Sequence, residues 1–383
     1  MLAPWSEWVT SRPLSVGIEE EVMLLDPRDW SLAQRADDVM PRLSAKLRAH
    51  SALETHQGVI ELASSPGETV AQAIGEIEGI RRLLEVELAG MGLRVASAGT
   101  HPVALWSEMR VSRDERYQLV HGSMRELARR EPTFALHVHI GVPDPESAIR
   151  LHNRLRAHLP LLLALSGNSP FWQGRDTGLA SARTPVFQSF PRVGIPRAFS
   201  SYGEYVEIVD LLIRCDAFPE STFLWWDIRP QPKFGTIEIR IMDAQSTVAH
   251  TEALTSLVQA IARLELEESY HSQRLIAAPE VLAENRFLAA RDGMEAWLID
   301  PVVERRVPAR EQLAELLQAA RPHADDLGSD LDGVTELADR SGAEFQRSIA
   351  GTTSQLDLVL AGMSDLFADG ARASARPGSA SWS

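Results

Sequence analysis

Glu19 and Glu21 stand two residues apart in SVGIEEEVMLL (Ser15 to Leu25), and His137 and His139 stand two apart in TFALHVHIGV. Side chains of a β-strand alternate between its faces, so a spacing of two places each pair on one side. Val16, Ile18, Val22 and Leu24 take the opposite side of the first segment, and Phe134, Leu136, Val138, Ile140 and Val142 that of the second. In GTIEIRIM, Ile237, Ile239 and Ile241 fill one face, while Thr236, Glu238, Arg240 and Met242 fill the other. In GVIEL, Val59 and Glu61 alternate against Ile60 and Leu62. Like charges this close raise each other's pKa unless a cation sits among them, so the acids are either solvated or hold a metal ion.

An antiparallel strand with one face in water accounts for each segment singly. Taken together, four segments present Glu19, Glu21, Glu61, His137, His139, Glu238 and Arg240 beside the small residues Gly17, Gly141, Ala135 and Ala63, which leave room for a ligand. A donor set rich in carboxylate, poor in imidazole and without thiolate suits Mg2+ or Mn2+ better than Zn2+. More than one ion fits such a set, which points to phosphates. Glu238, outward and repelled by neighbouring acids, is expected to contribute little to stability without metal.

The elements that must carry these residues follow from the same periodicities. Strands are expected at Ser15 to Leu25, Gly58 to Ala63, Leu93 to Ala98, Thr133 to Val142 and Thr236 to Met242. Helices are expected at Glu68 to Gly90 and Ala249 to Tyr270, then at Glu280 to Arg291, Arg310 to Ala320 and Ser341 to Leu360. The mixture is α+β. At 383 residues without a linker-like break, a single catalytic domain over 1–367 is expected, with a helical layer from about 279. Residues 368–383 have almost nothing to bury and read as a disordered tail. Two irregular stretches, SGNSPFWQGRDTGLASARTPVFQSFPRVGIP and WWDIRPQPKFG, are long enough to be functional loops.

Composition removes several function classes. A formal net charge of -15 repels nucleic acid and anionic membrane. The single cysteine, Cys215, excludes disulfides within the chain and a cysteine zinc site, and its apolar surroundings suggest a buried thiol. The longest apolar run, LPLLLAL, is too short to span a bilayer, and a cytoplasmic protein is expected. Neither a GxxxxGK[ST] loop nor a GxGxxG after a strand is present, so nucleotide phosphates would have to be held by metals and arginines.

GIEEE, GTHP, HVHIGV, SGNSPFWQGRDTGLASAR and WWDIRPQPKFGTIEIR, in that order, resemble the carboxylate-amine ligases related to type 2 glutamate-cysteine ligase, within the glutamine synthetase superfamily. The resemblance covers about Leu14 to Ala278. It implies a curved antiparallel sheet, an open barrel like the glutamine synthetase catalytic domain, surrounded by helices and holding Mg2+ (or Mn2+) and ATP. It further implies metal ligation by Glu19, Glu21, Glu61, His137 and Glu238, with Arg240 facing the phosphates. His139 would meet metal, phosphate or substrate. Glu54 would join Glu61 only if the chain bends between them. Thr100 and His101 of GTHP would lie near the ligand, and Arg175, Thr177, Arg183 and Arg229 would contact substrate carboxylate or phosphate, which a guanidinium grips with paired hydrogen bonds.

The resulting expectation is an ATP-dependent ligase that joins a small carboxylate to an amine through an acyl phosphate, glutamate and cysteine being the pair the family name suggests, in a homodimer typical of the family. The rivals are a metal-dependent hydrolase using His137, His139 and the glutamates on water, and a member that binds nucleotide or amino acid without turnover.

Overall fold

Seven of the chain's strands join in one antiparallel sheet in a computed structural model that describes residues 3–130, 132–351 and 355–369. In chain order these are β1 (Val16–Leu25), β2 (Ser51–Leu53), β3 (Val59–Ala63), β4 (Arg94–Ala96), β5 (Ala135–Gly141), β6 (Ile228–Gln231) and β7 (Thr236–Asp243). They lie in the order β6-β7-β5-β1-β3-β2, with β4 paired to the far end of β1. The sheet is curved and does not close.

The apolar face predicted for each strand is buried under two long helices. Val70–Gly90 starts where Thr69 accepts the Gln72 amide, and Val248–Glu267 where Thr247 accepts that of His250. Ile18, Val22, Leu136, Val138, Ile140, Ile237 and Ile239 share one core with Ile77, Leu84, Leu254 and Leu257 of these helices. The middle acid of the opening motif, Glu20, lies on this core side and is fully buried. Arg81 meets it with Nε and Nη2, each 2.7 Å from a carboxylate oxygen, and Thr251 Oγ1 donates to it at 2.6 Å. A buried carboxylate persists only when so paired.

Several expectations change. Strand β7 is bulged between Ile239 and Met242, so Met242 sits opposite Leu136 in the core and not on the ligand side. The stretch WWDIRPQPKFG is not a loop throughout, because Ile228–Gln231 forms β6. That strand is at the sheet edge, where Pro230 costs no ladder bond. A Cβ on Gly141 would lie 2.3 Å from Arg12 O, so its smallness admits the N-terminal segment and not a ligand. Cys215 is exposed at the end of the helix Tyr202–Arg214, not buried.

The helix beginning at Ala309 runs through Pro322 to Leu327, and the last expected helix is two, Gly342–Ala350 and Leu356–Asp369, separated at Gly351, whose φ is 51°. A hairpin, Trp297–Asp300 with Arg305–Pro308, precedes them. No helix among the described residues is long and apolar enough to cross a membrane. Of the tail expected over 368–383, the part from 370 on lies outside the described residues.

Candidate active site on the open face of the sheet

Strand register assembles the site in rows. Glu238 of β7 faces Arg229 of β6 on one side and His139 of β5 on the other. Glu19 of β1 faces His137 of β5, and Glu21 of β1 faces Glu61 of β3. The β2–β3 hairpin brings in Glu54 just past Leu53, so a turn, and not a bulge, answers the seven-residue spacing. Glu19, Glu21, Glu54, Glu61, His137, Arg183, Arg229, Glu238 and Arg240 all line one cavity of about 260 Å3. His139 lies behind Glu19, on the wall of a second, more apolar groove of about 620 Å3 that also contains Lys233 and Phe234.

Two donor groups share His137. Glu19, His137 and Glu238 offer atoms within 4.8 Å of one another, as do Glu21, Glu61 and His137. Glu19 Oε2 is 3.3 Å from His137 Nδ1, and Glu19 Oε1 is 3.3 Å from His139 Nε2. Glu238 accepts from Arg229 Nε at 2.6 Å, from Gln231 Nε2 at 2.7 Å, and from Arg240. Arg229 is further fixed by the carbonyls of Thr222 and Leu224.

The electrostatics divide the acids. Burial favours the neutral form of Glu238, but Arg229 and Arg240 outweigh it and hold the carboxyl well below the usual range. Glu19 is likewise held low, against its burial, by His139 and His137. Glu21 is pushed up to about 8 by burial and by Glu54, and Glu61 is raised well above the ordinary value by burial and the neighbouring Glu19. Burial and Arg240 push His137 down to about 4, so its ring is neutral and able to give a lone pair. Burial opposes charge on His139, yet Glu19 raises its pKa. The Nε2 atoms of His137 and His139 are buried without a hydrogen-bond partner among the described residues. Crowded acids, of which Glu21 and Glu61 are pushed toward the neutral form, beside imidazole Nε2 atoms that lack a hydrogen bond fit divalent cations, oxygen donors being in the majority as Mg2+ or Mn2+ requires.

The structure does not bring every predicted residue to this cavity. Thr100 Oγ1 donates to Phe171 O at 2.7 Å. His101 accepts the amides of Val103 and Ala104 on Nδ1 and meets Trp30 O with Nε2. Arg175 is exposed on a short strand, and Thr177 Oγ1 donates to Pro170 O. None of the four is among the residues lining the cavity. Arg183 lines it, but its Nη atoms donate to the carbonyls of Ile241 and Arg240, so it braces the bulge from which Arg240 points.

Sequence reasoning also missed residues. Past the bulge, Asp243 faces Ala135 and returns to the ligand side, where Asn168 N, Ser169 Oγ and Ser181 Oγ donate to it at 2.9, 2.6 and 2.9 Å. Gly99 lies so close that a Cβ there would be 2.5 Å from this carboxyl. The long SGNSPFW loop is thus tied down on one acid. Tyr117, which donates to Leu53 O and reaches Glu54, and Arg116 line the cavity from the helix Glu115–Met124, which no strand-like signal marks, and Trp225 does so from the WWDIRPQPKFG stretch.

The family model described as glutamate-cysteine ligase family 2 matches residues 15–359. A Rubrobacter xylanophilus protein provisionally named glutamate-cysteine ligase 2-1 is 40% identical over 344 residues, spanning 88% of this chain and 90% of its own. A Roseiflexus protein with the corresponding provisional name is 36% identical over 352 residues, 91% of this chain and 93% of its own. Among solved structures, a glutamate-cysteine ligase from Francisella tularensis in complex with AMP superposes with a TM-score of 0.64 at 13% identity, covering 96% of this chain and 95% of that one. A bifunctional glutathione synthetase from Pasteurella multocida gives 0.70 at 14%, covering 94% of this chain but only 53% of that one, so this chain spans about half its length. At these identities the structures establish a shared fold.

Proposed function

We propose that this chain, which belongs to glutamate-cysteine ligase family 2, joins a small carboxylic acid to an amine with ATP as the driving co-substrate. The observation that supports it most is the convergence of Glu19, Glu21, Glu61, Glu238 and His137 in one cavity with the Arg240 guanidinium beside them. Glu19, His137 and Glu238 would hold one divalent ion and Glu21, Glu61 and His137 another. Such ions, when bound, offset the charge of the phosphates.

The protein's own groups supply positioning and fixed charge, which is most of what phosphoryl transfer needs. Arg240 is held by Glu238 and Arg183 braces the backbone beneath it, so a permanent positive charge faces the place where phosphate charge develops. The apolar groove beyond Glu19 and His139, with Phe234 and Lys233 on its wall, suits a nucleotide base and its phosphates. The polar cavity, walled by Tyr117, Arg116 and Trp225, suits the carboxylate and the amine. In this reading a carboxylate oxygen attacks the γ-phosphorus, ADP leaves, and the amine nitrogen displaces phosphate from the acyl phosphate to form the amide.

Hydroxylamine added with Mg2+, ATP and the correct acid should trap the acyl phosphate as a hydroxamate, with one ADP per product. Glutamate is the first acid and cysteine the first amine to try, followed by pooled amino acids and amines with mass spectrometry of the product. Release of AMP and pyrophosphate would instead mark adenylation and refute the acyl phosphate.

A further inference from the structure

Away from the sheet, His158, Glu265 and His271 come together before the helix Leu159–Ser166, near the end of Val248–Glu267 and just beyond it. One donor atom from each lies within 4.8 Å of the others. His158 Nε2 is 2.7 Å from Glu265 Oε1, and the two imidazole rings are 4.2 Å apart at their centroids. His158 is only 1% exposed, and its Nδ1 is buried with no hydrogen-bond partner among the described residues. Both rings open onto a cavity of about 230 Å3 whose wall also carries Asp300 and Glu315.

Arg154 is the counter-charge in this cluster. Its Nε binds Glu265 Oε2 and its Nη2 donates to His271 O at 2.8 Å, while Oε1 accepts the His271 amide at 3.2 Å and faces His158 Nε2. The cavity wall carries Asp300 and Glu315 and no guanidinium, so the space favours a cation. We propose that His158, Glu265 and His271 form a second, separate metal site for a divalent transition ion, Zn2+ fitting best, with the remaining coordination position facing the cavity. Two imidazoles and one carboxylate are a softer donor set than the carboxylates of the sheet, and that difference selects zinc over magnesium. Arg154 acts as the outer partner that orients the ligating carboxylate. An ion here would pin the end of the long helix to the turn at His158.

The test is titration of metal-free, full-length protein with Co2+ in excess Mg2+, read by metal stoichiometry and visible absorption. Wild type should bind one more Co2+ than His271→Ala, the extra ion should show the intense bands of four-coordinate cobalt, and Zn2+ should displace it. Glu238→Gln should keep that ion. His271→Asn serves as a second variant should the alanine fail to fold. The proposal is overturned if wild type takes up no such ion, or if a folded His271 variant matches wild type in both stoichiometry and spectrum. It is equally overturned if the ion is lost from Glu238→Gln but kept in the His271 variants, which would place it on the sheet.

Discussion

Glu238→Gln should cost stability as well as activity, although strand alternation alone makes it an outward residue with little to lose. The side chain is 1% exposed and is the shared acceptor of Arg229, Arg240 and Gln231. Glutamine keeps the shape but leaves the buried Arg229 and the largely buried Arg240 without their nearest counter-charge. Removing one partner of a buried ion pair costs about 3 to 5 kcal/mol. Ile239→Ala, one residue on, truncates a fully buried core side chain and should cost about 2 to 5 kcal/mol. An unfolding entropy of roughly 2.1 cal/mol/K per residue gives about 0.8 kcal/mol/K for 383 residues, so the glutamine variant should melt about 4 to 6 °C below wild type. Calorimetry in excess chelator measures this, and ligase turnover per folded molecule at 25 °C separates the two faces. Turnover should vanish in Glu238→Gln and persist in Ile239→Ala. A metal-free melting point for Glu238→Gln within a degree of wild type would refute the charge-pairing argument, and normal turnover would remove Glu238 from the chemistry.

Arg81→Met should destabilise by about 3 to 5 kcal/mol because Glu20 is left buried and unpaired, whereas Glu20→Met with Arg81→Met should recover much of that loss, as a double-mutant cycle in urea would reveal. Burial pushes His101 down to about 4, and protonating its Nδ1 would break the bonds it accepts from Val103 and Ala104. Its contribution is therefore complete above the unfolded value of 6.5 and lost as pH falls toward 4, so urea midpoints should drop over that window, and less steeply in His101→Gln. ATP binding should require Mg2+ or Mn2+, and titration calorimetry that found undiminished affinity in excess chelator would exclude the shared metal.

Up to the bulge in β7, the faces of the strands were legible from alternation alone. Side-chain alternation is a property of the local backbone, so Glu19, Glu21, Glu61, His137 and Glu238 could be placed on one side of their strands before any partner was known, and they do meet in one cavity. The fold class was legible for the same reason, as one curved antiparallel sheet with helices on its apolar side. Tertiary structure decided what alternation cannot carry. The bulge in β7 was hidden because Ile241 and Met242 are both apolar, so an extra residue leaves no mark in the pattern, yet it moves Met242 into the core and turns Asp243 toward the SGNSPFW loop. Glu20 looked like its neighbours, and only Arg81, packed against it from another element, makes a buried charge tolerable there. Arg183 and Arg229 were chosen as anion binders from their chemistry, but the carbonyls and the carboxylate that engage them lie far away in the chain or across a strand pair. Period and polarity are written residue by residue, while register, charge pairing and the company of each side chain are fixed only when distant segments pack.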